Sequence, residues 1–303
     1  QNRDDSRASQ RAPTVARLFH SDPANADYKD DNSTNDRLSV PINNPEGAQT
    51  MVIVFRYFDA GNNWWWAIDN IKVTGGIPPL FHEDFEGLTL GPSVEESQFG
   101  EAVWTKTPPA GWTIDDTGVP GAGDPANDGM TEWAGWSFAS REWWPTVDDQ
   151  RRSEFTKGIG TVAIADSDEY DDAAHPDGTY NTYLKTPDID IAGREANSLT
   201  LRFDSSWRPE PNQKATITAT YDGGAPVEVL RFESVESSPY FKDDNSTNDE
   251  LLVPLNNPAG AKKLMLTFGY FDADNNWFWA IDNIEILGYE SRVPVDIALT
   301  IQR

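Results

Sequence analysis

The chain repeats itself. Residues 12–75 lie over residues 225–288 without a gap, every pair standing 213 positions apart, as Lys29 and Lys242 do. YKDDNSTNDRLSVPINNPEGA returns as FKDDNSTNDELLVPLNNPAGA, and FRYFDAGNNWWWAIDNI returns as FGYFDADNNWFWAIDNI. Self-similarity of this kind marks copies of one structural unit, so a fold that suits one phrase has to suit the other. The copies are not equally preceded: the 148 residues 77–224 stand before the second, and only 1–11 before the first. The expected organisation is a polar segment over 1–11, the C-terminal half of a first module over 12–76, a complete module over 77–290, and a closing strand or linker over 291–303. The half-module is expected to be completed by strands from missing upstream sequence or from another chain.

Strand signals dominate both halves. MVIVFRYF (51–58), LTLRFDSSW (199–207), ATITATYDGGAPVEVLRF (215–232) and LMLTFGYF (264–271) alternate or are β-branched and aromatic, and Asp222, Gly223 and Gly224 make a hairpin turn signal. The tail VPVDIALTI (293–301) reads as one more strand. No amphipathic helix stands out, and 22 glycines and 21 prolines punctuate the rest. The expected fold is all-β, a sandwich of two packed antiparallel sheets, with a partial sandwich at the N-terminus. Residues 107–130, rich in Pro, Gly and Asp, read as a long loop over it.

Composition removes several classes of function. Fifty acidic residues against 24 basic ones give a formal charge of −26, which disfavours nucleic acid and anionic membrane surfaces as partners. The chain has no cysteine, so disulfides, thiolate metal sites and cysteine nucleophiles are absent. His20, His82 and His175 are far apart and form no metal-binding spacing. No apolar run reaches the ~18 residues of a membrane span, so no membrane insertion is expected. The polar start lacks a signal-peptide core, so an exported form would be the processed one.

The tryptophan phrase NNWWWAIDNI holds an aspartate in what reads as a buried strand. A period of two places Ala67, Asp69, Ile71 and Val73 on one face, and Ala280, Asp282, Ile284 and Ile286 likewise in the second copy. Lys72 and Glu285 mark the opposite face as the wetter one, so Asp69 and Asp282 are expected to point inward. A buried carboxylate needs a cation or several hydrogen bonds. LFHEDFEG (80–87) supplies an acid, Glu83, between the same-face aromatics Phe81 and Phe85. Two inward carboxylates with backbone carbonyls and water would make a calcium site of oxygen ligands. The alternative is that Asp282 caps backbone N–H groups and Glu83 pairs with an arginine.

The acidic loop ADSDEYDDAAHPDG (165–178) offers further metal candidates in Asp166 and Asp168, beside Glu169, Asp171 and Asp172. It lacks the glycine and terminal glutamate of an EF-hand, and a solvated acidic turn explains it as well. KDDNSTND, at 29–36 and 242–249, is explained by turn-forming side chains. The same periodicity puts Trp65 and Phe278 inward, and Trp64 and Trp66, with Trp277 and Trp279, on the opposite face. Such a flat aromatic pair could stack on sugar rings, unless loops carrying Trp143 and Trp144 fold over and bury it.

Taken together, FHEDFEG, PPAGWT, NTYLKTPDIDI and the closing WFWAIDNI strand resemble the bacterial choice-of-anchor J or cleaved-adhesin module, a relative of the MAM-type jelly roll. The resemblance covers about 77–290 as a full module and 12–75 as a half. It implies a secreted, extracellular bacterial β-sandwich, commonly calcium-stabilised, that accompanies catalytic or adhesive domains; Glu83 and Asp282 match its opening and closing strand acids.

Three functional readings follow: a noncatalytic module that binds a glycan or an extracellular protein; a structural spacer of a secreted hydrolase or surface assembly; and a jelly-roll enzyme acting on polysaccharide. The last finds support in DIDIAGRE (188–195), which is similar to the acid-rich strand of laminarinase-like glycosidases, with Asp188 and Asp190 on one face. Retaining hydrolysis needs two carboxylates about 5–5.5 Å apart in a cleft, and Glu195 lies beyond a glycine turn.

Overall fold

The computed structural model of the chain describes residues 15–33, 36, 38–42, 50–62, 65–69, 71, 73, 79–96, 102–288 and 296–301. In chain order the strands are β1 (Thr50–Phe55), β2 (Phe81–Glu83), β3 (Trp104–Thr105), β4 (Thr113–Gly118), β5 (Ser137–Ser140), β6 (Thr161–Asp166), β7 (Tyr180–Lys185), β8 (Ile189–Asp190), β9 (Leu199–Arg208), β10 (Lys214–Tyr221), β11 (Val227–Glu233), β12 (Asp249–Pro254), β13 (Lys263–Ala273), β14 (Phe278–Gly288) and β15 (Asp296–Ile301). Two short helices, α1 (Trp144–Val147) and α2 (Ser167–Asp171), interrupt them. The chain divides into two compact units, Lys72–Ser291 on one hand and Gln1–Ile71 with Arg292–Arg303 on the other.

The larger unit is two antiparallel sheets. One has six strands in the order β11-β10-β13-β7-β4, with β8 also on β13; the other has seven in the order β12-β9-β14-β6-β5-β3, with β2 also on β14. Alternation along the long strands decides which side chains fill the space between them. On β13, Leu264, Leu266, Phe268 and Tyr270 are fully buried, while the intervening Met265, Thr267 and Phe271 are half-exposed. On β9, Leu201, Phe203, Ser205 and Trp207 face the same layer. Phe203 packs edge-on to Phe268, and Trp207 to Tyr270, so the sheets meet through aromatic rings. The β10–β11 hairpin turns where expected, Asp222 and Gly223 taking φ of 51° and 71°. The Asp222 carboxylate also accepts from the Lys262 and Lys263 amides.

Residues 107–130 depart from the loop expectation. TIDDTG forms β4 on the edge of the six-stranded sheet, paired with β7. An edge strand with one half-wet face needs no apolar alternation, and TIDDTG has little.

In the smaller unit β1 pairs with β15 in parallel, Thr50 opposite Asp296 and Phe55 opposite Ile301. The phrase that forms β14 in the second copy forms no strand in the first over the described residues 65–69 and 71. In the second copy the phrase lies between β9 and β6, strands drawn from 77–224, and that stretch has no second counterpart in the sequence. Strand formation here depends on neighbours rather than on local propensity.

Candidate functional site

The β14 aspartate is buried on the opposite face from the one periodicity assigns. Trp279 packs against Phe268 of the other sheet and is fully buried, so it, not Phe278, faces the inter-sheet core. Phe278, Ala280 and Asp282 lie on the outer face of the seven-stranded sheet. There Trp144 meets Phe278 edge-on at 4.7 Å, and residues 152–159 cover the surface. The expectation failed because it took Lys72 and Glu285 as markers of one wet face. A bulge intervenes between Asp282 and Glu285, with Asn283 left-handed at φ 52°, and shifts the phase of the alternation.

Asp282 is 1% exposed. Its Oδ2 accepts from the Ile159 amide at 3.0 Å and from Asn283 Nδ2 at 3.1 Å, and its Oδ1 from the Asn283 amide at 2.7 Å. Asn283 Nδ2 also donates to Asp204 Oδ2 at 2.9 Å, and Asp204 stands directly opposite Asp282 on β9. Burial pushes the Asp282 carboxyl up to about 8 against the pull of these amides, and the charges of Asp204 and Glu86 add to the rise.

Glu83 is not the acid that faces Asp282. It lies opposite Ile284, and its Oε1 accepts from the Phe85 amide at 2.9 Å, closing a turn in which Phe85 is left-handed at φ 58°. That turn redirects the chain, and the next acid, Glu86, reaches the start of β6, where Oε1 accepts from the Thr161 amide at 2.9 Å. Gly160, at φ 63°, leaves the space that the Glu86 carboxylate fills. The capping alternative thus describes the hydrogen bonds of both Asp282 and Glu83, although Glu83 has a backbone amide where an arginine was expected. The signal for Glu86 was present in FEG, three residues beyond the chosen acid.

Asp166 and Asp168 converge on an arginine. Asp166 caps α2 through the Glu169 amide, and its Oδ2 accepts from Trp144 Nε1 at 3.0 Å. The buried Arg152 guanidinium stands 3.0 Å from Asp166 Oδ2 and 3.6 Å from Asp168 Oδ2, and pairs with Glu169. It also lies over the Trp144 and Phe278 rings, at 5.6 and 5.5 Å from their centroids. The position expected to attract a metal is therefore filled by a side-chain cation. One guanidinium cannot balance three carboxylates at this depth. Burial, reinforced by Asp166, pushes Asp168 to about 6 and Glu169 to about 9. Among the described residues no group of three or more His, Cys, Asp or Glu side chains is arranged to hold a metal ion. Further along the loop, His175 lies between two acceptors, Asp171 Oδ1 at 2.8 Å and the Pro176 carbonyl at 2.9 Å. Burial works against its charge, but these two hydrogen bonds outweigh it and raise its pKa.

The tryptophan pair does not form in the second copy. Trp279 donates to Ser205 Oγ at 3.0 Å inside the core, and Trp277 is half-buried with Arg208 stacked 3.7 Å from its ring centroid. Loops do cover the outer face, but the ring they bury is Phe278. In the smaller unit Trp66 is 40% exposed and meets Phe19 edge-on, while Trp64 lies outside the described residues. Asp69 is exposed, contrary to the inward expectation, because the phrase around it is not a strand there. Asp188 is paired with Lys263 at 2.8 Å, and Asp190 closes a turn onto the Ala192 amide; both are exposed.

The outer face of the six-stranded sheet carries aromatic residues that no sequence motif singles out. Tyr183 on β7 and Phe271 on β13 point outward, half-exposed, with ring centroids 6.4 Å apart and planes 23° from parallel. Gly269, directly opposite Tyr183, carries no side chain between them. Lys185 pairs with Asp115 at 3.3 Å beside Tyr183, and Lys214 with Asp272 at 2.8 Å beside Phe271. NTYLK and LTFGYFDA contain these rings, but nothing in either stretch shows that they become neighbours across two strands.

No family model matches the chain, and no curated protein matches it. Solved structures do. The K1 cleaved adhesin domain of Lys-gingipain from Porphyromonas gingivalis W83 is 17% identical over 69% of this chain and 98% of its own, with a TM-score of 0.41. The module TmCBM61, solved with β-1,4-galactotriose, is 11% identical over 59% of this chain and 90% of its own, with a TM-score of 0.33. A carbohydrate-binding module from the β-sandwich superfamily is 10% identical over 65% of this chain and 63% of its own, with a TM-score of 0.34. By its own two antiparallel sheets the larger unit is a jelly-roll β-sandwich. No helix among the described residues is long and apolar enough to cross a membrane.

Proposed function

We propose that the chain is a noncatalytic, secreted β-sandwich module that binds a glycan or an extracellular protein and is stabilised by calcium. The observation that carries the binding role is the outer face of the six-stranded sheet, where two half-exposed aromatic rings stand between paired charges. Aromatic faces beside polar groups of fixed position are what a ligand surface needs. The outer face of the other sheet is taken up by its own covering segment. The polysaccharide-cleaving alternative has weaker support, since the acids of 188–195 are exposed and engaged in a surface ion pair and a turn.

Calcium is the second part of the reading. What favours an ion is the chemistry of the donors: the oxygens of Asp282, Asp204 and Glu86 are hard ligands, and the charges of Asp204 and Glu86 act against that of Asp282. Both Asp282 oxygens, however, accept N–H donors, and the three carboxylates are not arranged as a metal site. A carboxyl pushed to about 8 has to hold a proton or meet a cation at neutral pH. Asp282 would hold the ion, with carbonyls and water supplying the remaining ligands.

A glycan array probed with the intact chain in calcium tests the binding role, alongside release of reducing ends from the same polysaccharides. Binding without release is expected. Release of reducing ends would replace this reading with the enzyme, and an array with no bound glycan would leave protein binding or a spacer role.

A further inference from the structure

We infer that the Tyr183–Phe271 pair is a saccharide platform for the hexopyranose units of a neutral glycan; this rests on the glycan-binding reading above. The argument begins at Gly269. A methyl group there would stand 2.9 Å from Tyr183 Cδ1, 3.0 Å from Cε1 and 3.2 Å from Thr216 Oγ1, so the ring leans over a strand position kept bare for it. An aromatic ring over a strand glycine stabilises a sheet by itself. That accounts for Tyr183 alone and leaves out Phe271, which adds a second, nearly parallel ring on the same face at 6.4 Å. Two such rings offer apolar faces to the C–H faces of consecutive sugar rings.

The rim supplies what hydroxyl groups require. Lys185 with Asp115, and Lys214 with Asp272, put a donor and an acceptor side by side next to each ring. Asn181 is held beside the second pair, its Oδ1 accepting from the Asp272 amide at 2.9 Å and its Nδ2 donating to the Thr179 carbonyl at 3.0 Å. Adjacent sugar hydroxyls can bond both members of such a pair at once. On the next strand but one, Arg231 is likewise paired, with Glu228 and Glu233. Each lysine and arginine on this face already has a carboxylate, so none is left to attract a polyanion. With a formal charge of −26 over the whole chain, uronate and sulfated glycans are repelled. A neutral glycan is the ligand class that satisfies both rings and rim.

The test uses the intact chain on an array of neutral and acidic glycans, followed by titration calorimetry with the best neutral oligosaccharide. Tyr183→Ala and Phe271→Ala should each weaken binding about tenfold or more, and Tyr183→Phe should stay within about threefold, because the ring face and not the hydroxyl makes the contact. Trp277→Ala, in the connection that leads into β14 of the other sheet, should leave affinity unchanged. Lys214→Met keeps both rings and the fold, and should weaken binding several-fold, so the assignment can be judged even if an alanine variant does not fold. Neutral glycan binding that survives loss of either ring overturns the platform while the glycan-binding reading stands. Preference for acidic glycans overturns the ligand class. If the unmodified chain binds no glycan, the reading fails and the platform with it.

Discussion

Asp282 and Glu169 are carboxyl groups held far above their ordinary range, at about 8 and about 9. In the unfolded chain both titrate near pH 4. Between those limits the folded chain binds more protons than the unfolded one, so stability is greatest on the acid side and falls as pH rises toward 9. Each group can contribute a slope of up to about 1.4 kcal/mol per pH unit in its window. Urea midpoints measured between pH 5 and 9 without calcium should therefore decline, and Asp282→Asn should flatten the decline up to about pH 8. A flat or rising profile in the unsubstituted chain would contradict the burial assigned to these groups. Arg152 is the counterpart. Replacing it with methionine leaves the buried Asp166 and Glu169 and the half-buried Asp168 without their cation, and should lower stability by about 3–5 kcal/mol in the same urea assay at pH 7. At this scale the sequence reveals that buried acids need partners, but not which partner each one has. The arginine that answers Asp166 lies 14 residues upstream, and nothing in RRSEF marks its second arginine for burial.

At the level of elements, the start of β14 divides two tryptophans between different surroundings: Trp279 is inside the strand and faces the core, while Trp277 lies just before it. Trp279→Ala empties a position among Trp136, Phe232 and Phe268 and should cost about 3–5 kcal/mol, whereas Trp277→Ala removes a half-buried ring stacked on Arg208 and should cost about 1 kcal/mol or less. Equal losses in chemical denaturation would mean that the face assignment is wrong. The long strands β9, β10, β11 and β13 and the Asp222 turn are legible because apolar alternation and turn chemistry coincide there. β4 is hidden because an edge strand tolerates polar residues on both sides. The reversal of faces on β14 could not be read, since a bulge leaves no local mark beyond an asparagine that also suits a strand end. Gly160 belongs to the same scale. Gly160→Ala would evict the Glu86 carboxylate from the turn before β6, and a drop in melting temperature several times larger than that of Gly193→Ala, which has open space around it, is the expected result.

For the whole molecule, the repeat shows how far one phrase determines structure. AIDNI is a buried strand where β6 and β9 flank it, and an exposed segment over 67–69 and 71, where no strand pairs with it among the described residues. Calcium acts at this scale, because an ion that binds only the folded sandwich raises its melting temperature by mass action. Millimolar calcium should raise the melting midpoint over that in chelator by several degrees, and Asp282→Asn should abolish the difference; an unchanged midpoint in the unsubstituted chain would remove calcium from the account. Binding without cleavage is tested most directly by electrophoresis of the intact chain through gels cast with neutral polysaccharides or with polyuronates, followed by sizing of the polymers. Retardation in a neutral gel, none in the polyuronate gels and polymers of unchanged length are predicted. Free migration in every gel, or shortened polymer, would contradict it.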